Sequence, residues 1–396
     1  MPESPDLLAD LATDLRSAAA SLSAAGFTPS HPARLMEVCG GQTHAILRYG
    51  IDDLLPPAVR LVHGPGCPVC VTPASYLDRA IALARTVPGL VLATFADLLR
   101  VPSAASGDLY SARAAGADVR TVLSPLHALE LARRNPSRPV VFLAIGFETT
   151  APANALALEL ARRDRIANFF LLSSHFLVPP VLRRICGLPD PPHAFLAAGH
   201  VCTVAGSAPY ADLAAQIRRP VVVTGFTPAE LLRGITAALR LLVARRPVLF
   251  NAYPEAVLPH GNPHAQRLVS SVFEPCDREW RGLGLIPQSG LRIRPDAAPW
   301  DADRAFPQFV PPSPSPAASP CPAAEVLLGH LEPPDCPLFA KTCRPDNPLG
   351  APMVSPEGPC AAFFLHRPRT EDPVPFCSPN GSPPEKRFAS PPAFRL

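Results

Sequence analysis

No stretch of this chain reaches 18 uninterrupted apolar residues, so no membrane-spanning helix is expected. The N-terminal MPESPDLLADLATDLRSAAASLSAAG lacks the basic start and apolar core of a signal peptide. Residues 1–30 read instead as an amphipathic helix with acidic residues, and a cytoplasmic location is expected. Excess charge of one sign is also missing. A net charge of +3 over 396 residues, with no basic run and no aromatic–basic interleaving, excludes nucleic acid from the expected partners. No Walker-type phosphate loop is present.

What the chain does hold is apolar residues, proline and sulfur. Hydrophobic residues make up 47% of it, enough to fill the cores of two or three domains. The 54 prolines concentrate in 307–322 and after 366, where they mark a linker and a disordered tail over 367–396. Eleven cysteines form an odd total in a long chain with no secretion signal. A disulfide framework is therefore disfavoured, and metal binding or catalysis is favoured.

Residues 60–300 alternate short β-type runs with helical patterns. LVH (61–63), GLVLATF (89–95), DVRTVL (118–123), PVVFLAIGF (139–147), NFFLLS (168–173), AFLAAG (194–199) and PVVVTGF (220–226) read as strands. Helices fit between them, at 74–85, 106–116, 125–134, 152–163, 179–186, 209–217 and 228–244. Continuous apolar strands separated by helices predict parallel sheets buried on both faces. The pattern predicts an α/β protein with two parallel-sheet domains, 31–136 and 137–270, dividing near 135–138. Residues 271–366 read as turns and short helices with little strand, which suits a small domain organised by a metal cofactor. In open α/β sheets ligands gather at the carboxyl ends of strands. GPGCPVC, GFETTAP, GHVCTVAG and GFTP all follow strands and face one expected cleft.

Cys321, Cys336, Cys343 and Cys360 are separated by 14, 6 and 16 residues. Four thiolates suit a cubane iron–sulfur cluster, one per iron. The alternative is a structural zinc ion, although zinc sites usually use short Cys-x-x-Cys knuckles. Cys67 and Cys70 form a Cys-x-x-Cys pair suited to reversible disulfide exchange. Half of a zinc site is the bland alternative, with Cys39, His44 and His63 as nearby partners. Cys39 in MEVCGGQTH precedes two glycines, whose bare backbone favours ligand approach, and an exposed soft thiolate there would suit low-spin iron. Glu148 in GFETTAP is expected to point into the cleft, while Thr149 and Thr150 are as well explained as helix caps. For His175, His200, Cys202, His260 and His264 a structural role is expected. Cys186 reads as core and Cys377 as a bystander in the tail.

Taken together, MEVCGGQTHAILRYGI (36–51), LVHGPGCPVCVTP (61–73), AIGFETTAPA (144–153), AAGHVCTVAG (197–206), PVVVTGF (220–226), FEPCDREWRGLG (273–284), IPQSGLRIRP (286–295), PPDCPLFAKTC (333–343) and MVSPEGPCAA (353–362) resemble the HypD family of NiFe-hydrogenase maturation proteins. The resemblance implies a 4Fe-4S cluster on Cys321, Cys336, Cys343 and Cys360. It implies assembly of an iron centre bearing two cyanides and one carbon monoxide, in complex with the chaperone HypC and with cyanide from HypE. Cys39 matches the family cysteine that holds this iron, and Cys67 and Cys70 match its redox pair. His44 and Glu148 are expected to handle protons or orient the diatomic ligands. The chain departs from the family at Gln42, where a histidine is common, which marks that position as adaptable. It also departs at Cys321-Pro322-Ala323, where a second cysteine is usual. The pair and the cluster alone also permit a second activity, a cluster-dependent thiol–disulfide reductase.

Overall fold

Runs such as VVFLAI and FFLL become the buried strands of two sheets in the computed structural model, which describes residues 3–309 and 320–367. Residues 310–319 of the proline-rich stretch and 368–396 of the expected tail, with Cys377, lie outside the described residues. In chain order the strands are β1 (Ala33–Glu37), β2 (Val59–His63), β3 (Val91–Thr94), β4 (Val119–Thr121), β5 (Val140–Gly146), β6 (Phe169–Phe176), β7 (Ala194–Ala198), β8 (Val221–Thr224), β9 (Leu249–Asn251), β10 (Phe273–Trp280) and β11 (Gly284–Ile293). Every residue of β5 and of β7 is buried, as strands covered by helices on both faces require.

One sheet runs β2-β1-β7-β8-β9 and is wholly parallel. The other runs β10-β11-β6-β5-β3-β4, parallel from β6 to β4 and antiparallel where the β10–β11 hairpin joins β6. The division expected near 136 is therefore incorrect. β1, which pairs with β2, also pairs with β7 across more than 150 residues of chain, while β3 and β4 join β5 and β6. Periodicity reports that a segment is a strand, but its partner is set by non-local packing.

The 271–366 segment also differs from expectation. It opens with a long hairpin, Phe273 opposite Ile293 through Trp280 opposite Gly284, with a bulge between Cys276 and Arg278. Gly290 and Leu291 pair with Phe176 and His175, so the hairpin extends the second sheet and belongs to no separate domain. Trp280 is fully buried and donates from Nε1 to Ser289 Oγ at 2.9 Å. Past the hairpin the chain is indeed turns and short helices, among them Ala323–Leu327 and Pro359–His366. The last of these packs on the helix Gly40–Tyr49 through Leu47, Ala362 and Phe363.

At the other end, the helix Pro5–Ala20 seats Leu15 against Leu231, Leu232 and Ile235 of the helix Pro228–Val243. A capping box between Thr227 and Glu230 starts the latter helix. Among the described residues no helix is long and apolar enough to cross a membrane.

Candidate functional site

The parallel pairing of β1 with β2 and β7 brings three loops to one place. Glu37 ends β1 opposite His63 of β2 and Leu196 of β7. The next turn places Cys39 at the N-cap of the helix Gly40–Tyr49. The loop after β2 closes on it, with Gly64 N–H donating to Glu37 O at 2.8 Å and Gly40 N–H to Gly66 O at 3.1 Å. Gly66 lies so close to the backbone of Val38 and Cys39 that a Cβ there would collide with it. The helix Gly199–Ala205, which starts directly after β7, contributes His200, whose Nδ1 is 3.8 Å from Cys39 Sγ, with the Phe226 ring after β8 against His200.

Cys39 is buried, against the expectation of an exposed thiolate. The bare backbone of Gly40 and Gly41 is covered by the protein itself, through Glu357 and the Phe226 ring. Burial, with the Glu37 and Glu357 charges adding to it, holds the thiol well above the ordinary range. At neutral pH Cys39 is therefore a thiol, and binding a metal displaces its proton. Burial pulls His200 down to about 4, so its ring is neutral, the form that ligates metals.

Glu37 holds this geometry. Its fully buried carboxylate accepts the Cys39 N–H at 2.8 Å on Oε2. On Oε1 it accepts the Thr43 hydroxyl and meets His63 Nδ1 at 2.8 Å. Gln42 is buried too, its Nε2 donating to Thr224 O at 3.0 Å. That side chain is built into the sheet end.

Cys67 caps the short helix Pro68–Val71, accepting the Cys70 N–H on its sulfur at 3.3 Å. Cys67 and Cys70 are joined in a disulfide with Cα atoms 5.2 Å apart, and both are buried. The helix Ala74–Thr86 follows. Cys39, Cys67, Cys70 and Cys202 share one apolar core.

The other sequence candidates lie elsewhere. His44 faces His366, Nδ1 to Nε2 at 3.4 Å, on the helix that also carries Cys360. His175 is buried between Asn154 (2.7 Å) and Ser173 (3.1 Å), a satisfied structural histidine. Thr150 turns its hydroxyl back onto Phe147 O at 3.2 Å.

Glu148 has a buried carboxyl tip. Oε1 accepts the Val178 N–H at 3.0 Å and Oε2 has no hydrogen-bond partner. Burial pushes the group up to about 7. The unfolded chain loses this proton near the ordinary value of 4.5 and the folded chain only near 7. Between those values stability falls as pH rises, by on the order of 3 kcal/mol in all. Glu148→Gln is expected to be more stable than wild type at pH 8 and nearly equal to it at pH 4, measured by urea unfolding at both pH values. An equal difference at both would remove the carboxyl as its source.

Cys321, Cys336, Cys343 and Cys360 come together across the C-terminal turns. Burial pushes Cys321 up to about 11, with Cys343 and Cys336 adding to it. Cys360 is held well above the ordinary range by burial and then by the other three. The four sulfurs are thus close enough to act on one another electrostatically. Val326, Met353 and Ala361 pack around Cys343 and Cys360, and Leu349 N–H donates to Cys343 Sγ at 3.4 Å. Four thiols, two of them in an apolar setting and one accepting an N–H, are a donor set that a 4Fe-4S cluster would fit, one thiolate per iron. Among the described residues no three His, Cys, Asp or Glu side chains converge on one ion.

Sequence reasoning missed Glu37, His200 and Glu357. For His200 a signal existed, because AAGHVC follows a strand as HGPGCPVC does. That it lies beside Cys39 became visible only with the strand order.

Over residues 13–367 the chain matches a family model described as HypD, "Hydrogenase formation hypA family". It is 47% identical over 350 residues to the hydrogenase maturation factor HypD of Azotobacter vinelandii, covering 87% of this chain and 92% of that protein. The protein of the same name from Escherichia coli K12 is 43% identical over 370 residues, covering 92% and 96%. That from Cupriavidus necator is 42% identical over 346 residues, covering 85% and 90%. A family match over most of the chain and identities of this size across nearly whole relatives place it in the HypD family of hydrogenase maturation factors.

Proposed function

We propose that this chain assembles the Fe(CN)2CO unit of NiFe hydrogenases, as scaffold and redox enzyme in complex with a HypC-like chaperone and with cyanide from a HypE-like donor. The observation that carries this is the junction of β1, β2 and β7, where Cys39 and His200 meet beside the Cys67–Cys70 loop. The iron is cargo. Cys39 offers it a soft sulfur and His200 a neutral imidazole, and a thiolate from the chaperone completes the protein donors. Burial keeps water from the site, so an iron bearing diatomic ligands is held dry.

Cyanide arrives as a thiocyanate on the donor protein. Two electrons and one proton break its carbon–sulfur bond, giving a thiol on the donor and cyanide on iron. Oxidation of the Cys67/Cys70 dithiol to the disulfide releases two electrons and two protons, enough for one such cleavage. When bound, a 4Fe-4S cluster supplies electrons one at a time. Glu148, held near neutral pKa, is suited to taking up or giving a proton.

Anaerobic co-purification with a HypC-like chaperone, followed by infrared spectroscopy, tests this function. Bands of iron-bound cyanide and carbon monoxide are expected from the complex. A complex that keeps its cluster and its chaperone but shows neither band overturns it.

A further inference from the structure

The hairpin turn between β10 and β11 touches both sulfur sites. On one side, Arg281 N–H donates to Val71 O at 2.8 Å and its Nε to Thr72 O at 2.7 Å, the two residues that follow Cys70. Its Nη atoms lie 3.4 Å from Pro102 O. On the other side, Gly282, at φ +77, lies against Ala324, so close that a Cβ there would press into it. Ala324 is three residues from Cys321 and sits in the helix Ala323–Leu327. The turn is thus wedged between the exit of the disulfide segment and the first cysteine of the four-thiol cradle. Trp280, fully buried before it, fixes its position.

We infer that Arg281 is a positioning residue for the redox chemistry, a fixed cation that anchors the Cys-x-x-Cys segment and makes the group held by the four cysteines easier to reduce. This rests on the proposed cluster at Cys321, Cys336, Cys343 and Cys360. Arg281 is half-buried. Burial draws it down to about 10, while Cys321, Asp78 and Glu279 act against that fall, so it is positive at neutral pH. Reduction adds one negative charge to the cluster, and a cation in a partly desolvated setting favours that state. Arginine suits the place better than lysine as an anchor, because its planar fork reaches the Thr72 and Pro102 carbonyls together. Among the described residues the hydrogen bonds of Arg281 go to Val71, Thr72 and Pro102, on the side of the disulfide exit.

The test is an EPR-monitored reductive titration with dithionite of the full chain, reconstituted anaerobically, as wild type, Arg281→Gln and Arg281→Lys. Arg281→Gln is expected to raise the oxidised-to-reduced ratio about tenfold at a given potential, a midpoint lower by about 59 mV for a one-electron couple. Arg281→Lys, which keeps the charge, is expected to stay within about threefold of wild type by the same relation. An unchanged midpoint in Arg281→Gln overturns the inference. So does an equal fall in both variants, which would assign the effect to lost packing. Arg281→Met, which keeps the aliphatic stem, replaces the glutamine variant if the latter does not fold. A wild-type chain that takes up no cluster defeats the proposed function itself, whereas a clustered chain with equal midpoints defeats only the role of Arg281.

Discussion

Replacing Cys39 with alanine is expected to abolish retention of the cargo iron while leaving the brown absorbance of the cluster unchanged. The two sulfur sites use different residues, so they separate cleanly. Cys39 sits at a helix N-cap between the ends of β1, β2 and β7, and the four-thiol cradle is built from the C-terminal turns. Losing an outer-shell partner of a metal ligand already costs 10–100-fold in affinity, so losing the sulfur itself is expected to cost more than about 100-fold. The side chain removed is small, and the fold should lose only about 1 kcal/mol. Cys39→Ser keeps the size but offers a hard oxygen to a soft iron, and is expected to fail nearly as completely. Iron content and the cyanide and carbonyl infrared bands of the chaperone complex are the measurements. Normal bands from the purified Cys39→Ala complex would remove Cys39 from the iron site.

The elements of the fold were legible in the sequence, but their partners were not. The helix Pro125–Arg134 and the strand β5 fall where their patterns place them, because Ser124 caps the first and continuous burial defines the second. The split near 136 failed because β1 and β2 wait for β7, and no local pattern records which strands will be neighbours. The β10–β11 hairpin was hidden for a different reason. Between Phe273 and Trp280 its first strand alternates half-buried and exposed residues and carries charge, and the hairpin includes Pro275, Pro287 and Gly290, which read as turn signals. At the site, the cysteines announced themselves by type and spacing. Glu37 did not, because a lone acidic residue at a strand end looks like a solvated one until three donors are seen around it. The exposure expected for Cys39 failed because a bare Gly-Gly backbone serves close packing as readily as ligand approach. Here Glu357 and Phe226 fill that space.

Removing Glu37 is expected to destabilise the chain more than any other single change at this site. Its carboxylate is fully buried and is shared by the Cys39 N–H, the Thr43 hydroxyl and His63. In Glu37→Ala the Cys39 N–H and His63 stay buried without this acceptor, and the Thr43 hydroxyl keeps only its longer bond to Cys39 O at 3.3 Å. Breaking a buried pair by deleting one partner costs about 3–5 kcal/mol, because the surviving polar groups keep the desolvation penalty. Glu37→Gln keeps the volume and one carbonyl oxygen but turns an NH2 toward groups that were donors, so a loss of about 1–3 kcal/mol is expected. The consequence for chemistry differs from that for stability. With the charge gone, one of the influences raising the Cys39 thiol is removed, so a folded Glu37→Gln protein should alkylate at Cys39 faster than wild type at the same pH. Urea unfolding gives the first quantity and iodoacetamide kinetics, with the modified cysteine mapped by mass spectrometry, the second. If Glu37→Ala unfolds within about 1 kcal/mol of wild type, which is the ordinary scale of a single substitution, the carboxylate is not what fixes Cys39 at the head of its helix. The proximity of Cys39 to His200 would then have to come from the strand ends alone.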